Sequence, residues 1–135
     1  ATRFPRARPS QGREPRSGAP DGVSEGRYRV RWAASAADDF EKIAAYVATD
    51  SVESARRLVD RMESAVSALD HHPLRGRRVP ELARFGIHAF RELICGPYRI
   101  VYRVEGRTVG VLGVFDGRRD LSDLVIERLL PFGRR

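Results

Sequence analysis

One cysteine, one lysine and no long apolar run set the first limits on this 135-residue chain. A lone thiol, Cys95, forms no disulfide within the chain and cannot build a cysteine-based metal site, which points to a reducing cytoplasm. No apolar stretch approaches the ~18–20 residues of a membrane helix. Residues 1–26 also lack the apolar stretch of a signal peptide. A cytoplasmic protein with no membrane contact is the expectation, and the sequence gives no hint of a cofactor or metal.

What is abundant is arginine: 24 residues against the single Lys42, for a net charge of +7. The charge is unevenly spread, −4 over Ala34–Asp70 and +6 over His71–Arg135. A basic second half beside an acidic helical half suggests a face that meets an anion, either nucleic acid or an acidic partner chain. Arginine in place of lysine equally fits the coding bias of a GC-rich genome. Residues 1–26 hold Pro5, Pro9, Pro15 and Pro20 among Arg, Gly and Ser, with almost no large apolar side chains. Such a segment cannot offset its ordering entropy and reads as a disordered Arg/Pro-rich tail, leaving 27–135 as the folded domain. Val23, before Ser24-Glu25-Gly26, fits a GTG start codon; on that reading the first 22 residues are upstream sequence.

Order is expected from Tyr28-Arg29-Val30-Arg31-Trp32, where apolar and charged residues alternate as in a half-buried strand. Ser35 with Asp38 reads as a capping-box helix start. Phe40, Ile43, Ala44 and Val47 then form one helical stripe. Thr49-Asp50-Ser51 interrupts it, and Asp50 with Glu53 restarts a second helix. Ala55, Leu58, Val59, Met62, Val66 and Leu69 keep helical spacing until Pro73 ends it. Leu74–Gly86 reads as a loop carrying Arg75-Gly76-Arg77-Arg78. Three strand-like runs follow, His88–Cys95, Tyr98–Val104 and Thr108–Phe115, with separators short enough for hairpin turns. Ser122–Leu130 is read as a short helix or ordered tail. The fold class is therefore α+β: an N-terminal strand, then an antiparallel helical hairpin packed on an antiparallel sheet, in the order β-α-α-β-β-β.

Several pieces carry a resemblance. They are Trp32-Ala33; Asp39-Phe40 with Ile43-Ala44-Ala45-Tyr46-Val47; Pro73 through Leu82; Arg91-Glu92-Leu93; Tyr98-Arg99-Ile100-Val101-Tyr102-Arg103-Val104; and Val114 through Leu121. In that order and spacing, residues 28–121 resemble the RelE/ParE superfamily of toxins, some of which are described as plasmid stabilisation proteins. The resemblance implies a type II toxin–antitoxin system with a cognate antitoxin as partner. It leaves two activities open: ribosome-dependent mRNA cleavage, as in RelE-like members, or growth arrest by binding DNA gyrase, as in ParE-like members. A third reading is a non-toxic remnant that keeps the fold and binds only its partner.

RNA cleavage through the 2′-hydroxyl needs a base, an acid and cations on the phosphate. The resemblance maps the RNase arginines onto Arg99 and onto Arg118 or Arg119. The RelE-like lysine positions fall on Phe90-Arg91-Glu92, which has no lysine, and Glu92 puts negative charge where a phosphate would sit. No tyrosine or histidine follows Tyr102, so the C-terminal acid or base is missing. His88 could stand in, although a lone histidine at a strand start is ordinarily solvated. The long hairpin also resembles ParE-like members. The expectation is a gyrase-binding toxin with little or no RNA cleavage.

The candidate residues for meeting target or antitoxin are Arg91, Tyr98, Arg99, Arg103, Arg118 and Arg119. Arg99 and Arg103 alternate with Tyr98, Ile100 and Tyr102. If the helices cover the tyrosine face, these arginines line the open one, as a basic floor or as solvated side chains. Arg118-Arg119-Asp120 reads as part of that surface or as a turn with a local ion pair. Arg75–Arg78 reads as a flexible anion-binding loop or as plain solubilising charge. Trp32 and Met62 read as core, Asp38 and Asp39 as favourable charge at a helix N-terminus, and Cys95 as a strand packing residue.

Overall fold

The computed structural model describes residues 27–118 and 127–129. The expected tail, the Val23 start, Arg119, and Ser122–Leu130 apart from 127–129 lie outside them. The elements are β1 (Arg29–Trp32), α1 (Ala34–Ala48), α2 (Val52–Ser67), a 3-10 turn at Ala68–Asp70, β2 (Arg77–Arg78), α3 (Pro80–Ala83), β3 (Phe90–Cys95), β4 (Tyr98–Glu105) and β5 (Thr108–Asp116). One five-stranded sheet runs β1-β5-β4-β3-β2. The β3-β4-β5 meander is antiparallel, β2 pairs antiparallel with β3, and β1 lies parallel to β5. This is the expected α+β architecture of a helical hairpin on an antiparallel-dominated sheet, with one parallel pair at its edge.

The meander follows from alternation and from two glycines. Gly96 (φ +61°) and Gly106 (φ +62°) open the two-residue turns that close Cys95 against Tyr98 and Glu105 against Thr108, a backbone region only glycine enters cheaply. Between Val101 and Tyr102 the pairing to β5 shifts, leaving Leu112 as an extra residue, a bulge that bends the strand.

Both helix starts differ from the sequence reading. The α1 N-cap is Ala33, with no side-chain cap. Its N–H still donates to Val111 O and its carbonyl already accepts from Ala36 and Ala37, so sheet pairing fixes where the helix begins. Ser35 Oγ donates instead to Leu112 O at 3.3 Å. In α2 the cap is Ser51, not Asp50: Ser51 Oγ accepts from Ser54 N at 3.0 Å. The expected loop Leu74–Gly86 in fact contains β2 and α3, with Pro80 opening α3, where its missing N–H costs nothing.

Burial follows the hairpin's stripes. Ala55, Leu58, Met62 and Val66 of α2 are buried. Phe40, Ile43 and Val47 of α1 are half-buried against the core, and Trp32 stacks on Phe40 at 5.1 Å between centroids. Tyr102, Phe90, Leu82 and Leu129 are fully buried, and Cys95 is a buried packing residue of β3.

Candidate functional site

The β3–β4 register settles where the strand arginines point. Arg99 pairs with Ile94 and Phe115, Arg103 with Phe90, and Tyr98 with Cys95. Directly opposed residues share a face, so Arg99 and Arg103 do lie opposite Tyr98, Ile100 and Tyr102. The floor is not open, however. Helix α3 brings Glu81 over it, and Arg99 is 9% exposed.

Arg99 is held by two carboxylates. Its Nη1 and Nη2 donate to Glu81 Oε2 and Oε1 at 2.8 and 2.6 Å, and its Nε donates to Glu92 Oε1 at 2.8 Å. The other Glu92 oxygen accepts from Arg77 Nε at 2.7 Å. The Glu92 side chain has no exposed surface, and Arg77 remains 58% exposed. This bidentate geometry is the strong form of the guanidinium–carboxylate contact. The Arg99 hydrogen bonds hold the Glu81 carboxyl below its usual range, against the opposing effect of burial. Glu81, and after it Glu92, raises the Arg99 pKa in return.

Of the four arginines expected to share that surface, Arg119 lies outside the described residues, and Arg103 and Arg118, like Arg99, have partners within the chain. Arg103 is half-buried with its guanidinium over the Phe90 ring at 5.8 Å, and its Nη2 lies 3.9 Å from Glu105. Arg118 lies past the end of β5, where both carboxylate oxygens of Asp116 take its guanidinium and raise its pKa. Arg91 turns onto its own chain, Nη1 donating to Gly76 O at 2.8 Å and Leu74 O at 3.3 Å. His88 is exposed and precedes β3 rather than starting it. Asp39 serves the sheet, not the helix terminus: its Oδ2 accepts from Val114 N and from Arg128 Nη2, both at 3.0 Å.

What the fold brings together is a cleft between α1 and the end of β5. Ile43, Tyr46, Tyr98, Val114 and Phe115 give it an apolar lining, and Asp39, Lys42, Asp116, Arg118 and Arg128 give it charge. Tyr98 is 6% exposed and Tyr46 is 72% exposed, so the cleft combines a fixed floor with a free aromatic rim. Of the sequence candidates among the described residues, Tyr98 and Arg118 belong to it. Tyr46 was missed because it falls off the α1 stripe, and an exposed aromatic off the stripe was the available signal. Among the described residues no group of three His, Cys, Asp or Glu could hold a metal ion, and no helix is long and apolar enough to cross a membrane.

Residues 30–121 match the family model of the ParE toxin of type II toxin–antitoxin systems, parDE. The candidate toxin Y4kP of Sinorhizobium fredii is 37% identical over 90 residues, covering 65% of this chain and 86% of that protein. A solved chain of the chromosomal ParDE toxin–antitoxin system from P. aeruginosa superposes with a TM-score of 0.55 at 22% identity, over 68% of this chain and 98% of that one; at that identity it shows the shared fold. The strand–hairpin–meander order, the family match and the curated relative agree: the chain belongs to the ParE toxin family of type II toxin–antitoxin systems.

Proposed function

We propose that this ParE-type toxin acts in the cytoplasm by binding DNA gyrase rather than by cutting RNA, and that a cognate antitoxin neutralises it. The carrying observation is the state of Arg99. A phosphate-binding arginine needs free donors facing its substrate, whereas this buried guanidinium already gives three of its five N–H donors, one each from Nε, Nη1 and Nη2, to Glu92 and Glu81. The occupied arginine speaks against RNA cleavage, and gyrase as the target rests on family membership. The experiment pairs two readouts after induction without antitoxin. Supercoiling by purified gyrase should fall as the protein is added, and primer extension on translated mRNA should show no discrete cuts. Discrete cuts by the parent protein would favour the RNase reading, and normal growth at high levels of folded protein would favour the partner-binding remnant.

For the antitoxin, the α1–β5 cleft is the surface that fits best. Its apolar floor suits aliphatic or aromatic anchors, and its charges, Arg118 and Arg128 paired with Asp116 and Asp39 beside Lys42, leave a small positive excess for acidic residues on a segment that folds on contact. Arg118→Glu should chiefly slow association, and Tyr98→Ala should chiefly speed dissociation.

A further inference from the structure

We propose that the sheet edge carrying Arg75 and Arg78 is a docking surface for the phosphate backbone of duplex DNA. It goes beyond the toxin reading and does not depend on gyrase being the target. Arg78 stands directly opposite Arg91 in the β2–β3 ladder, and like charges in that position are destabilising. Arg91 is consumed by Leu74 O and Gly76 O. Among the described residues neither Arg75 nor Arg78 has an ion-pair partner, and the Glu92 carboxylate that takes Arg77 is shared with Arg99. The fold accepts an uncompensated cationic edge, and an external anion is what would compensate it.

The edge is also firm rather than flexible. The Arg91 bonds hold the segment from below, and Gly76 N donates to the buried Tyr102 hydroxyl at 2.9 Å. Gly76 lies so close to the sheet that a Cβ there would stand 2.6 Å from Glu92 O. Guanidiniums on a fixed backbone lose less freedom on binding. The expected flexible loop is thus a rigid mount.

What this edge withholds decides the class of ligand. Arg77 pairs with Glu92, and Val79 N donates to Phe90 O, so the outward backbone groups belong to Gly76, Arg78 and Pro80. Gly76 has spent both N–H and C=O, and Pro80 has no N–H. Arg78 alone is left, too little for a partner to add a strand. An acidic peptide laid along the edge would forgo its main-chain bonds. A regular row of phosphates needs only the guanidinium forks.

The test is fluorescence anisotropy of a short mixed-sequence DNA duplex with the full chain, over a series of salt concentrations. Each phosphate neutralised contributes about 0.9 to the slope of log K against log salt. Arg75→Gln with Arg78→Gln should flatten that slope by about 2 while melting at or above the parent temperature, since the repulsion between Arg78 and Arg91 is relieved. Arg56→Gln with Arg57→Gln, an equal loss of charge from exposed positions on α2, should leave it unchanged. Both pairs retain the arginines of residues 1–26, so those contribute equally. Equal flattening by both pairs would overturn the site in favour of attraction by net charge. An unchanged slope in the Arg75/Arg78 pair, with weakened binding of polyglutamate, would overturn it in favour of an acidic protein partner.

Discussion

Arg99 and Glu81 meet fork to fork, two parallel N–H···O contacts at 2.8 and 2.6 Å joining the middle of the sheet to a helix of four residues. Glu92 closes the other side of the same guanidinium, so a buried cation has anions above and beside it. Removing one member of such a group costs more than the group contributes, because the charges left behind have already lost their water.

Arg99→Ala should therefore destabilise the protein by roughly 3–5 kcal/mol, measured by urea unfolding. Replacing Arg99, Glu81 and Glu92 together by apolar residues of similar volume should recover most of the loss. A recovery no better than the sum of the single variants would show that the three groups do not act as a unit.

Acid should weaken the same contact. The Glu81 carboxyl is lowered in the folded protein by Arg99 from an ordinary value of 4.5. The unfolded chain thus takes up its proton first, and the pair's contribution is complete above that value and lost as pH falls through the lower folded one. Stability followed below pH ~5 should fall less steeply in Glu81→Gln than in the parent.

Gly76 is where a single methyl should be felt. A Cβ would lie 2.6 Å from Glu92 O, 2.8 Å from the Tyr102 hydroxyl and 2.9 Å from Tyr102 Cε1, and none of these is a yielding chain end. Gly76→Ala should cost about 1–3 kcal/mol. Tyr102→Phe, which strips the Gly76 N–H of its acceptor without a clash, should cost about 1–2 kcal/mol.

The second helix offers a clean contrast. Ser51→Ala removes the cap on Ser54 N and should cost about 1 kcal/mol. Asp50→Ala should move the thermal midpoint far less, since that side chain does not cap the helix.

These contrasts also show what the sequence could disclose. The meander was legible because period-two alternation and Gly96 and Gly106 are local signals. The α2 stripe was legible for the same reason. The start of α1 was not, because Ala33 is placed by its bond to Val111, far along the chain. Strand β2 and helix α3 are too short for any periodicity to show, and Pro80 was the one local hint. The parity that sets Arg99 opposite Tyr98 was readable from the strand. Its carboxylate neighbours were not, because they depend on the β3–β4 register and on α3 folding back over the sheet. Tyr98 of the cleft was in view from the start, whereas Tyr46 and Arg128 join it only through packing.

The parallel pairing of β1 with β5 sets an order of events. Strand β1 leads the described chain, yet its only partner is the last strand, and the Ser35–Leu112 contact beside that junction spans 77 residues of sequence. During synthesis at ~10 residues per second, β1 and the start of α1 must wait about 8 s for their sheet to exist. Over that interval Trp32 and Phe40 have no β5 to lie against. A ribosome that stalls before Thr108 therefore holds a hairpin with an uncovered apolar stripe. Such a nascent chain is a substrate for chaperones and proteases, and it matures only when its final strand emerges.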